Sequence, residues 1–307
     1  MAGTGRIVVL GVFVADTTHR ADRMPVMGET LLGKSFALGP GGKGSNQAVA
    51  AGLAGAHAHM ITKIGQDAFG DMALSMWEKA GVTPAVTHMS DTPTGCAFIF
   101  IDDATGDNAI IITPGAAGTI SPADLDAQRD LIASADIFMT QLEQPMDAAM
   151  RGLTIAREAG VTTLLNPAPA ADLPDGMLAL CDIITPNETE AEMLTGQTVK
   201  TLEDAEKAAQ ILRDQGVGTV ILTLGERGAL LVDANRQLHV PAMTLGPVVE
   251  TTGAGDAFNG GFATALAQGQ PIEDAVRFGC ATAGLSVTRQ GAAASMPTRA
   301  EIVTALA

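Results

Sequence analysis

The stretch DIFMTQLEQPMDAAMRGLTIAREAGVTTLLN (136–166) contains one complete strand–helix–strand unit. Its first six residues, DIFMTQ (136–141), form a short apolar run that predicts a buried strand. PMDAAMRGLTIAREA (145–159) has the periodicity of a helix with Pro145 near its start, and VTTLLN (161–166) predicts the next strand. Two strands joined through a helix indicate a parallel pair, so this unit favours an α/β fold.

The same alternation continues towards the C-terminus. Strands are predicted at DIITP (182–186) and TVILTLG (219–225), and helices at NETEAEMLTG (187–196) and LEDAEKAAQILRDQG (202–216). The pattern predicts a mostly parallel sheet with helices on both faces. Ligands of such sheets lie beyond the carboxyl ends of the strands. The polar residues expected at those ends are Glu143, Asn166, Asn187 and Thr223.

Two regions break this alternation. MGETLLGKSFALG (27–39) and TGCAFIFIDDATGDNAIIITPG (94–115) read as extended strands and hairpins with no helix between them, and GDN (106–108) is a hairpin turn. We expect them to form a small antiparallel sheet that projects from the main domain. The chain has neither a Ser/Gly-rich or Pro-rich linker nor an internal repeat, which favours a single domain.

The composition excludes several classes of protein. The 307 residues are 47% hydrophobic and 17% charged, as is typical of a globular chain. A net charge of −16 argues against nucleic-acid binding, which needs basic patches. No apolar run reaches the roughly 18 residues of a membrane span, and the N-terminus shows no signal-peptide cleavage pattern. We expect a cytoplasmic protein that acts on small molecules.

Two glycine-containing segments match the consensus patterns of nucleotide-binding motifs, but the residues around them do not fit those motifs. GETLLGKS (28–35) fits the P-loop pattern, but the residues before it are polar and those after it cannot start a helix. GPGGKG (39–44) fits the dinucleotide pattern, but Pro40 lies within it and we expect no complete strand before it. Both interpretations are rejected, the second together with a dehydrogenase function.

Two other segments carry chemistry. GGKGSN (41–46) exposes backbone N–H groups beside the polar side chains of Lys43 and Asn46 at a helix start. TTGAGDAFNGGFATAL (251–266) leads through Gly253, Ala254 and Gly255 into a helix, where several N–H groups would converge as an anion hole. Asp256 follows directly, either as a helix cap or as a general base.

A third segment, NETE (187–190), places Asn187 and Glu190 on one helical turn after a strand. Their oxygen atoms could hold hydrated Mg²⁺. The same spacing is also the signature of a capping box, in which the two side chains only close the helix end. The sequence leaves these two interpretations open.

These motifs resemble those of the PfkB carbohydrate kinases. GGKGSNQAVAAGLAG and ETTGAGDAFNGG are similar to the two signatures of that family, and the intermediate blocks NPAPA, TPNETEAE and TLGERGA follow in the expected order. The similarity runs from Ile7 to Pro297 and is strongest to the ribokinase branch. It implies a ribokinase-like three-layer α/β/α sandwich with a mostly parallel central sheet. It also implies one catalytic domain, 1–307, with a β-sheet lid near 12–40 and 94–115 that pairs subunits into a homodimer.

The resemblance also implies a role for individual residues. Asp256 would be the catalytic base beside an anion hole of Gly253, Ala254 and Gly255. The sugar-binding positions would be Val14, Asp16, Gly42, Lys43, Asn46 and Glu143. The nucleotide-binding positions would be Asn187, Thr223, Gly225, Gly228 and Gly255. Asn187 and Glu190 would hold Mg²⁺ through water, and Glu250, Thr252, Gly291 and Ser295 would form a K⁺ site.

The function implied is transfer of the γ-phosphate of ATP to the primary hydroxyl of a small sugar, ribose in the first place. Val14 departs from the usual Asn, which could bond a sugar hydroxyl, so 2-deoxyribose or another sugar or polyol is an alternative substrate. Glu250 stands where the family usually has Asp, and a longer carboxylate beside the expected cation loop would change the affinity for K⁺ or the preference among cations. A nucleoside kinase and a non-catalytic sugar sensor are the further alternatives.

Overall fold

The computed structural model describes residues 5–307, so the first four residues of the predicted single domain lie outside the described residues. The strands are β1 Arg6–Leu10, β2 Val14–Ala21, β3 Ser35–Gly41, β4 His57–Gly65, β5 Thr83–Met89, β6 Thr94–Asp102, β7 Asn108–Gly115, β8 Ile137–Thr140, β9 Thr162–Leu165, β10 Ile183–Ile184, β11 Thr219–Thr223, β12 Ala229–Val232 and β13 Gln237–Val240. The helices are α1 Lys43–Leu53, α2 Ala68–Ala80, α3 Pro122–Ala127, α4 Arg129–Ala133, α5 Met146–Glu158, α6 Glu188–Thr195, α7 Leu202–Asp214, α8 Ala254–Ala267, α9 Ile272–Ser286 and α10 Arg299–Leu306.

The strands form two sheets. Within residues 5–307 the main sheet has nine strands in the order β13-β12-β11-β10-β9-β8-β1-β4-β5. It is parallel from β5 to β11, and β12 and β13 add an antiparallel edge. The chain first extends this sheet on one side of β1 and then on the other, so β1 and β8 flank the point where the order reverses. Such a point is where open α/β sheets bind their ligands.

Two apolar cores lie on opposite faces of the main sheet. Alternate residues of β1 belong to different cores because successive side chains of a strand point to opposite faces. Ile7 and Val9 pack with α1, α2, α8, α9 and α10, whereas Val8 and Leu10 pack with α3 to α7. All four side chains are fully buried. The predicted three-layer α/β/α architecture is therefore confirmed.

The local predictions for the main domain agree with the structure. The helix predicted over 145–159 is α5, with Pro145 as its N-terminal cap residue. The helix predicted over 187–196 is α6, which begins after Asn187 and ends at Gly196 in the left-handed region (φ 71°). None of the helices in residues 5–307 has the length and apolar character that a bilayer crossing requires.

Two expectations about the second sheet, which we call the small sheet, were wrong. Its order is β3-β2-β6-β7, and β2 pairs with β6 in parallel, so the sheet is mixed rather than antiparallel. A complete strand, β3, does precede the GGKG turn and includes Pro40. Residues 28–35, which match the P-loop pattern, lie almost entirely in an irregular and largely exposed segment before β3. This segment is followed by a strand and not by the helix that a P-loop requires.

Close packing of α1 against α8 sets the position of both helix starts. Gly260 of α8 faces α1, and a methyl group built there would lie 2.4 Å from Ala50 Cβ and 2.7 Å from the Gln47 carbonyl oxygen. We expect Gly260→Ala to lower the free energy of unfolding by about 2 kcal/mol, because overpacking outweighs the better helix propensity of Ala. Urea denaturation measures this change, and an unaltered transition midpoint would contradict it.

Candidate active site

Helices α1 and α8 both begin at the carboxyl ends of the main-sheet strands. Each starts after a glycine in the left-handed region, Gly42 (φ 90°) for α1 and Gly253 (φ 80°) for α8. A side chain at Gly42 would also lie 2.5 Å from the carbonyl oxygen of Val12. The two glycine motifs of the sequence therefore lie side by side in the structure, and each turns the chain sharply into a helix.

Asp256 lies in the first turn of α8, and its carboxylate points towards α1. Asn46 Nδ2 donates to Oδ2 and Gln47 Nε2 donates to Oδ1, each at 3.0 Å. The side chain makes no capping bond to its own helix, so the cap interpretation does not apply. Burial raises the pKa of Asp256, while the charge of Lys43 and the two amide hydrogen bonds oppose that rise. The result is a buried carboxylate with lone pairs left to accept a proton.

The start of α8 presents unused N–H groups beside this carboxylate. The N–H of Ala254 donates to the Thr251 carbonyl oxygen at 3.1 Å, so it is engaged within the loop. Within residues 5–307, no acceptor faces the N–H groups of Gly255 and Asp256. Gly255 is exposed, and no heavy atom lies within 4 Å of where its side chain would begin. Two free donors at a helix N-terminus are suited to a phosphate group.

The predicted sugar-binding residues surround the start of α1. Glu143 Oε2 accepts the N–H of Lys43 at 2.7 Å, so the loop after β8 contacts this helix start. Asp16 lies on β2 and its carboxylate rests against Gly41 of β3. Val14 shares that face of the strand with Asp16 because the two residues are two positions apart. Among residues 5–307, the Asn46 Oδ1 atom is buried without a hydrogen-bond partner, which leaves an acceptor for a ligand.

Two of these carboxylates have raised pKa values. Burial raises the pKa of Asp16 to about 6. Burial also raises the pKa of Glu143 to about 7, against the opposing effect of the Lys43 N–H and charge. Both groups therefore change charge close to neutral pH, and a hydroxyl ligand bonds the ionised form more strongly.

We expect kcat/KM for the sugar to fall as the pH is lowered through about 7 and then 6, because Glu143 and Asp16 become protonated in turn. Below both pKa values the decline should approach tenfold or more per pH unit. A pH profile from about 5.5 to 8.5 measures this. The Glu143→Gln variant serves as the control, because its profile should lack the upper inflection. A flat profile across that range would contradict the expectation.

Asn187 and Glu190 form a capping box at the start of α6. Glu190 N–H donates to Asn187 Oδ1 at 2.8 Å, and the Asn187 backbone N–H donates to Glu190 Oε2 at 2.9 Å. The structural interpretation of this motif is thus confirmed, yet Glu190 is also buried and interacts electrostatically with Lys43 and Asp256. Burial raises the pKa of Glu190 and the charge of Asp256 adds to that rise, while the Asn187 N–H and the charge of Lys43 oppose it.

The predicted nucleotide positions lie beside this motif. Thr223 ends β11 and forms an isolated parallel bridge with Asn187, and its hydroxyl donates to the Pro186 carbonyl oxygen at 3.4 Å. Gly225 and Gly228 bound the following turn, both in the left-handed region (φ 55° and 97°). The structure therefore brings Asn187 and Thr223 together and places the two glycines one turn away.

The predicted K⁺ positions come partly together. Glu250 Oε2 accepts the N–H of Gly291 at 2.9 Å, which joins the two loops. Ser295 is fully buried and its hydroxyl donates to the Ala292 carbonyl oxygen at 2.8 Å, whereas Thr252 is exposed. Across the described residues, no cluster of three or more His, Cys, Asp or Glu side chains could hold a metal ion.

The sequence interpretation missed several buried amides behind the site. Gln47 bonds Asp256, Gln141 bonds Gln47, and Asn259 of α8 donates to the Gly255 carbonyl oxygen at 2.9 Å. A usable signal was present for Gln47, because this long amide side chain directly precedes the small and apolar part of α1. Gln141 was placed inside a strand, and nothing in its neighbours indicates its partner.

Comparison with known proteins identifies the family of the chain. The profile of the pfkB family carbohydrate kinases matches residues 4–299. The chain is 40% identical to the ribokinase of Haemophilus influenzae over 296 residues, 96% of each chain. It is 38% identical to the deoxyribokinase of Salmonella typhi over 293 residues, 95% of each chain. The structure of Arabidopsis thaliana ribokinase complexed with ribose and ATP has a TM-score of 0.92 at 32% identity, covering 100% of this chain and 99% of that one.

The match to the family profile covers almost the entire chain, and the fold is that of the ribokinases throughout. The predicted resemblance is therefore confirmed, whereas the roles of the individual residues rest on the geometry described above. The chain belongs to the PfkB family of carbohydrate kinases and is a sugar phosphotransferase.

Proposed function

We propose that this protein transfers the γ-phosphoryl group of ATP to the primary hydroxyl of ribose. The observation that carries the proposal is the buried Asp256 carboxylate beside the free N–H groups of Gly255 and Asp256. A base next to an anion hole is the arrangement that phosphoryl transfer to a hydroxyl requires. The ribose and ATP of the Arabidopsis structure support both substrates.

The proposed step is an in-line displacement. The sugar hydroxyl gives its proton to Asp256 as its oxygen bonds the γ-phosphorus, and the bond from that phosphorus to the β–γ bridging oxygen breaks to release ADP. The unpartnered Asn46 Oδ1 would accept a hydrogen bond from a sugar hydroxyl. The free N–H groups at the start of α8 would stabilise the charge of the transferring phosphoryl group.

Asn187 and Glu190 fit the magnesium that a kinase uses. Their carboxylate and amide oxygens are hard donors, and Glu190 is a buried carboxylate whose pKa is raised by burial and by nearby Asp256. When bound with ATP, Mg²⁺ neutralises phosphate charge. The capping box holds both side chains in place, which favours contact of Asn187 and Glu190 with Mg²⁺ through water molecules.

A second substrate, 2-deoxyribose, is favoured by Val14 and by the similarity to a deoxyribokinase. Val14 is buried on the Asp16 face of β2, opposite Gly41 and Gly95, so this part of the face has no hydrogen-bonding side chain. A sugar hydroxyl placed there would lose its hydrogen bonds to water without replacement.

An ADP-release assay with ATP, Mg²⁺ and K⁺ tests both substrates at equal concentration. If ribose has the higher kcat/KM, the proposal holds as stated. If 2-deoxyribose does, Val14→Asn should shift the preference towards ribose by about tenfold or more. If neither sugar is phosphorylated, the proposed substrates are wrong. Omitting K⁺ in the same assay tests the proposed K⁺ site, and ADP release without K⁺ at the full rate would reject it.

The nucleoside kinase alternative is less favoured. Of the aromatic residues near the small sheet, Phe13 is buried against Trp77. Phe36, Phe98 and Phe100 lie on the face that carries His19, because residues paired across strands share a face. Asp16 is on the other face, where no aromatic wall for a base faces it from β3 or β6. A non-catalytic sugar sensor is also less favoured, because Asp256 and the preceding loop of Gly253, Ala254 and Gly255 are all present.

The small sheet fits the role of a lid over a single catalytic domain. The chain enters this sheet after β1 and after β5, and it returns to the main domain at the start of α1 and after β7. Phe36, Leu38 and Ile111 are 61%, 44% and 63% exposed, and they share one face of this sheet. An apolar face of this kind fits the cytoplasmic homodimer that we propose, and sedimentation of the purified protein tests it.

A further inference from the structure

Buried amide side chains form a continuous line of hydrogen bonds behind Asp256. Gln141 Nε2 donates to Gln47 Oε1 at 2.6 Å, and Gln47 Nε2 donates to both Asp256 Oδ1 and Asn166 Oδ1 at 3.0 Å. Gln47 and Gln141 are fully buried. Because the oxygen and both N–H groups of the Gln47 amide are used, the amide has only one orientation that satisfies its neighbours.

Two glycines of the backbone leave room for this line. Side chains built at Gly11 and Gly44 would begin 2.5 and 2.7 Å from Gln141 Oε1. Within the described part of the chain, that oxygen is itself buried without a partner. A buried amide oxygen without a partner costs free energy. The arrangement is therefore unexplained by stability alone.

The line ends on the one oxygen of Asp256 that does not face Asn46. Asn46 donates to Oδ2, and within the described residues the Oδ1 atom of the same Asn46 has no hydrogen-bond partner, so it could accept a sugar hydroxyl. A hydroxyl held there would be next to Asp256 Oδ2. Because Gln47 donates to Oδ1 and Asn46 donates to Oδ2, hydrogen bonds to both oxygens fix the plane of the carboxylate. Oδ2 keeps a lone pair for the incoming proton.

We propose that Gln47 is a positioning residue, which orients the Asp256 carboxylate for proton transfer and favours its ionised form. The proposal rests on the proposed role of Asp256 as the base. Gln47 does not reach the substrate side of the carboxylate, so it acts only through Asp256. Gln141 supports it by fixing the oxygen end of its amide.

The charged neighbours of Asp256 come from three further elements. Lys43 at the start of α1 favours the ionised form, whereas Glu190 of α6 and Glu143 of the loop after β8 disfavour it. Burial opposes ionisation most strongly, so the pKa of Asp256 is raised even with both amide bonds present. Removing the Gln47 bond should raise this pKa further, and the acid limb of the kcat profile should then move to higher pH.

The test is the pH dependence of kcat for Gln47→Met, which keeps the length of the side chain and removes its hydrogen bonds. We expect the acid limb to move up by about one to two pH units, the change that corresponds to losing one hydrogen bond to a charged group. Within the acid limb, turnover should fall about tenfold or more, and it should recover partly at high pH. KM for ATP should stay unchanged.

Gln268→Met is the matched control, because Gln268 follows the last residue of α8 and bonds the Gly55 carbonyl oxygen and Arg299 far from Asp256. Its acid limb should coincide with that of the wild type. A folded Gln47→Met protein whose acid limb also coincides with the wild type would overturn the proposal. If Gln47→Met does not fold, Gln141→Met takes its place, with a smaller shift in the same direction supporting the proposal and no shift overturning it.

The Asp256→Asn background separates this proposal from the proposed base. If Asp256→Asn loses turnover and Gln47→Met adds no further loss to it, Gln47 acts through Asp256 as proposed. If Gln47→Met lowers the residual rate of Asp256→Asn by the same factor as in the wild type, the positioning role is wrong. If Asp256→Asn retains turnover, the assignment of the base fails first, and the positioning role fails with it.

Discussion

Replacing Asp256 with Asn is expected to lower kcat by about two to four orders of magnitude, the contribution that a positioned general base makes to catalysis. The substitution keeps the shape of the side chain and removes its ability to take a proton. It also turns one acceptor into a donor that faces Asn46 or Gln47, so one of the two 3.0 Å hydrogen bonds must be lost. Binding of ATP should change little, because neither bond involves the free N–H groups at the start of α8.

The measurement is steady-state ADP release together with calorimetric titration of ATP. Asp274→Asn is the matched control, since Asp274 holds the third position of α9 just as Asp256 holds the third position of α8. Asp274 forms an exposed ion pair with Arg277 and lies outside the site. The control should keep nearly full turnover. Turnover near the wild-type rate in Asp256→Asn, with the control also active, would remove Asp256 from the role of base.

The main domain could be predicted from sequence because its elements are defined locally. Asn187 and Gly196 are residue types that mark the start and the end of a helix, so the sequence identifies both boundaries of α6. The short apolar segments of β8 and β9 lie on either side of the helix α5, which indicates that they are strands. Each of these signals acts over a few residues. The order of the sheet then follows from the parallel connections between neighbouring strands.

The small sheet was predicted less well for the opposite reason. Its two central strands, β2 and β6, are separated by more than 70 residues of chain, and their parallel pairing leaves no local sign. Hairpin signals such as GDN (106–108) identify only antiparallel neighbours, which is why an antiparallel sheet was expected. Pro40 was interpreted as part of a turn, although a strand tolerates proline where its missing N–H is not needed.

The site shows the same division between local and distant contacts. Asp256 and the glycines before it were identified from one continuous motif, and the structure places the carboxylate towards the second motif at Asn46. The hydrogen bond between Gln141 and Gln47 joins residues 94 positions apart. Neither glutamine has a sequence neighbour that indicates this contact, because it depends on how α1 packs over the end of β8.

The second large effect is expected at Gly41, which lies beside Asp16 on the small sheet. A methyl group at Gly41 would begin 2.3 Å from Asp16 Oδ2, so in Gly41→Ala the carboxylate must rotate away from its present position. The backbone of Gly41 is not in the left-handed region, and the atoms in the way belong to the end of a movable side chain. We therefore expect a folded protein in which Asp16 no longer bonds the sugar.

The loss of one hydrogen bond from a charged group corresponds to about a 10- to 100-fold lower kcat/KM for the sugar. It should appear as a higher KM for the sugar at nearly constant kcat, because this bond contributes equally to the bound sugar and to the transition state. KM for ATP should not change. Initial rates over a range of sugar concentrations at saturating ATP measure the effect.

Gly39→Ala is the matched control for this prediction. Gly39 is two residues away on the same face of β3 and pairs directly with Asp16, yet no heavy atom lies within 4 Å of where its side chain would begin. Both substitutions add one methyl group to the same strand, and only that at Gly41 displaces the carboxylate. Equal sugar KM values in the two variants would show that Asp16 does not bind the sugar from its present position, and a raised KM in Gly41→Ala alone would assign that role to Asp16.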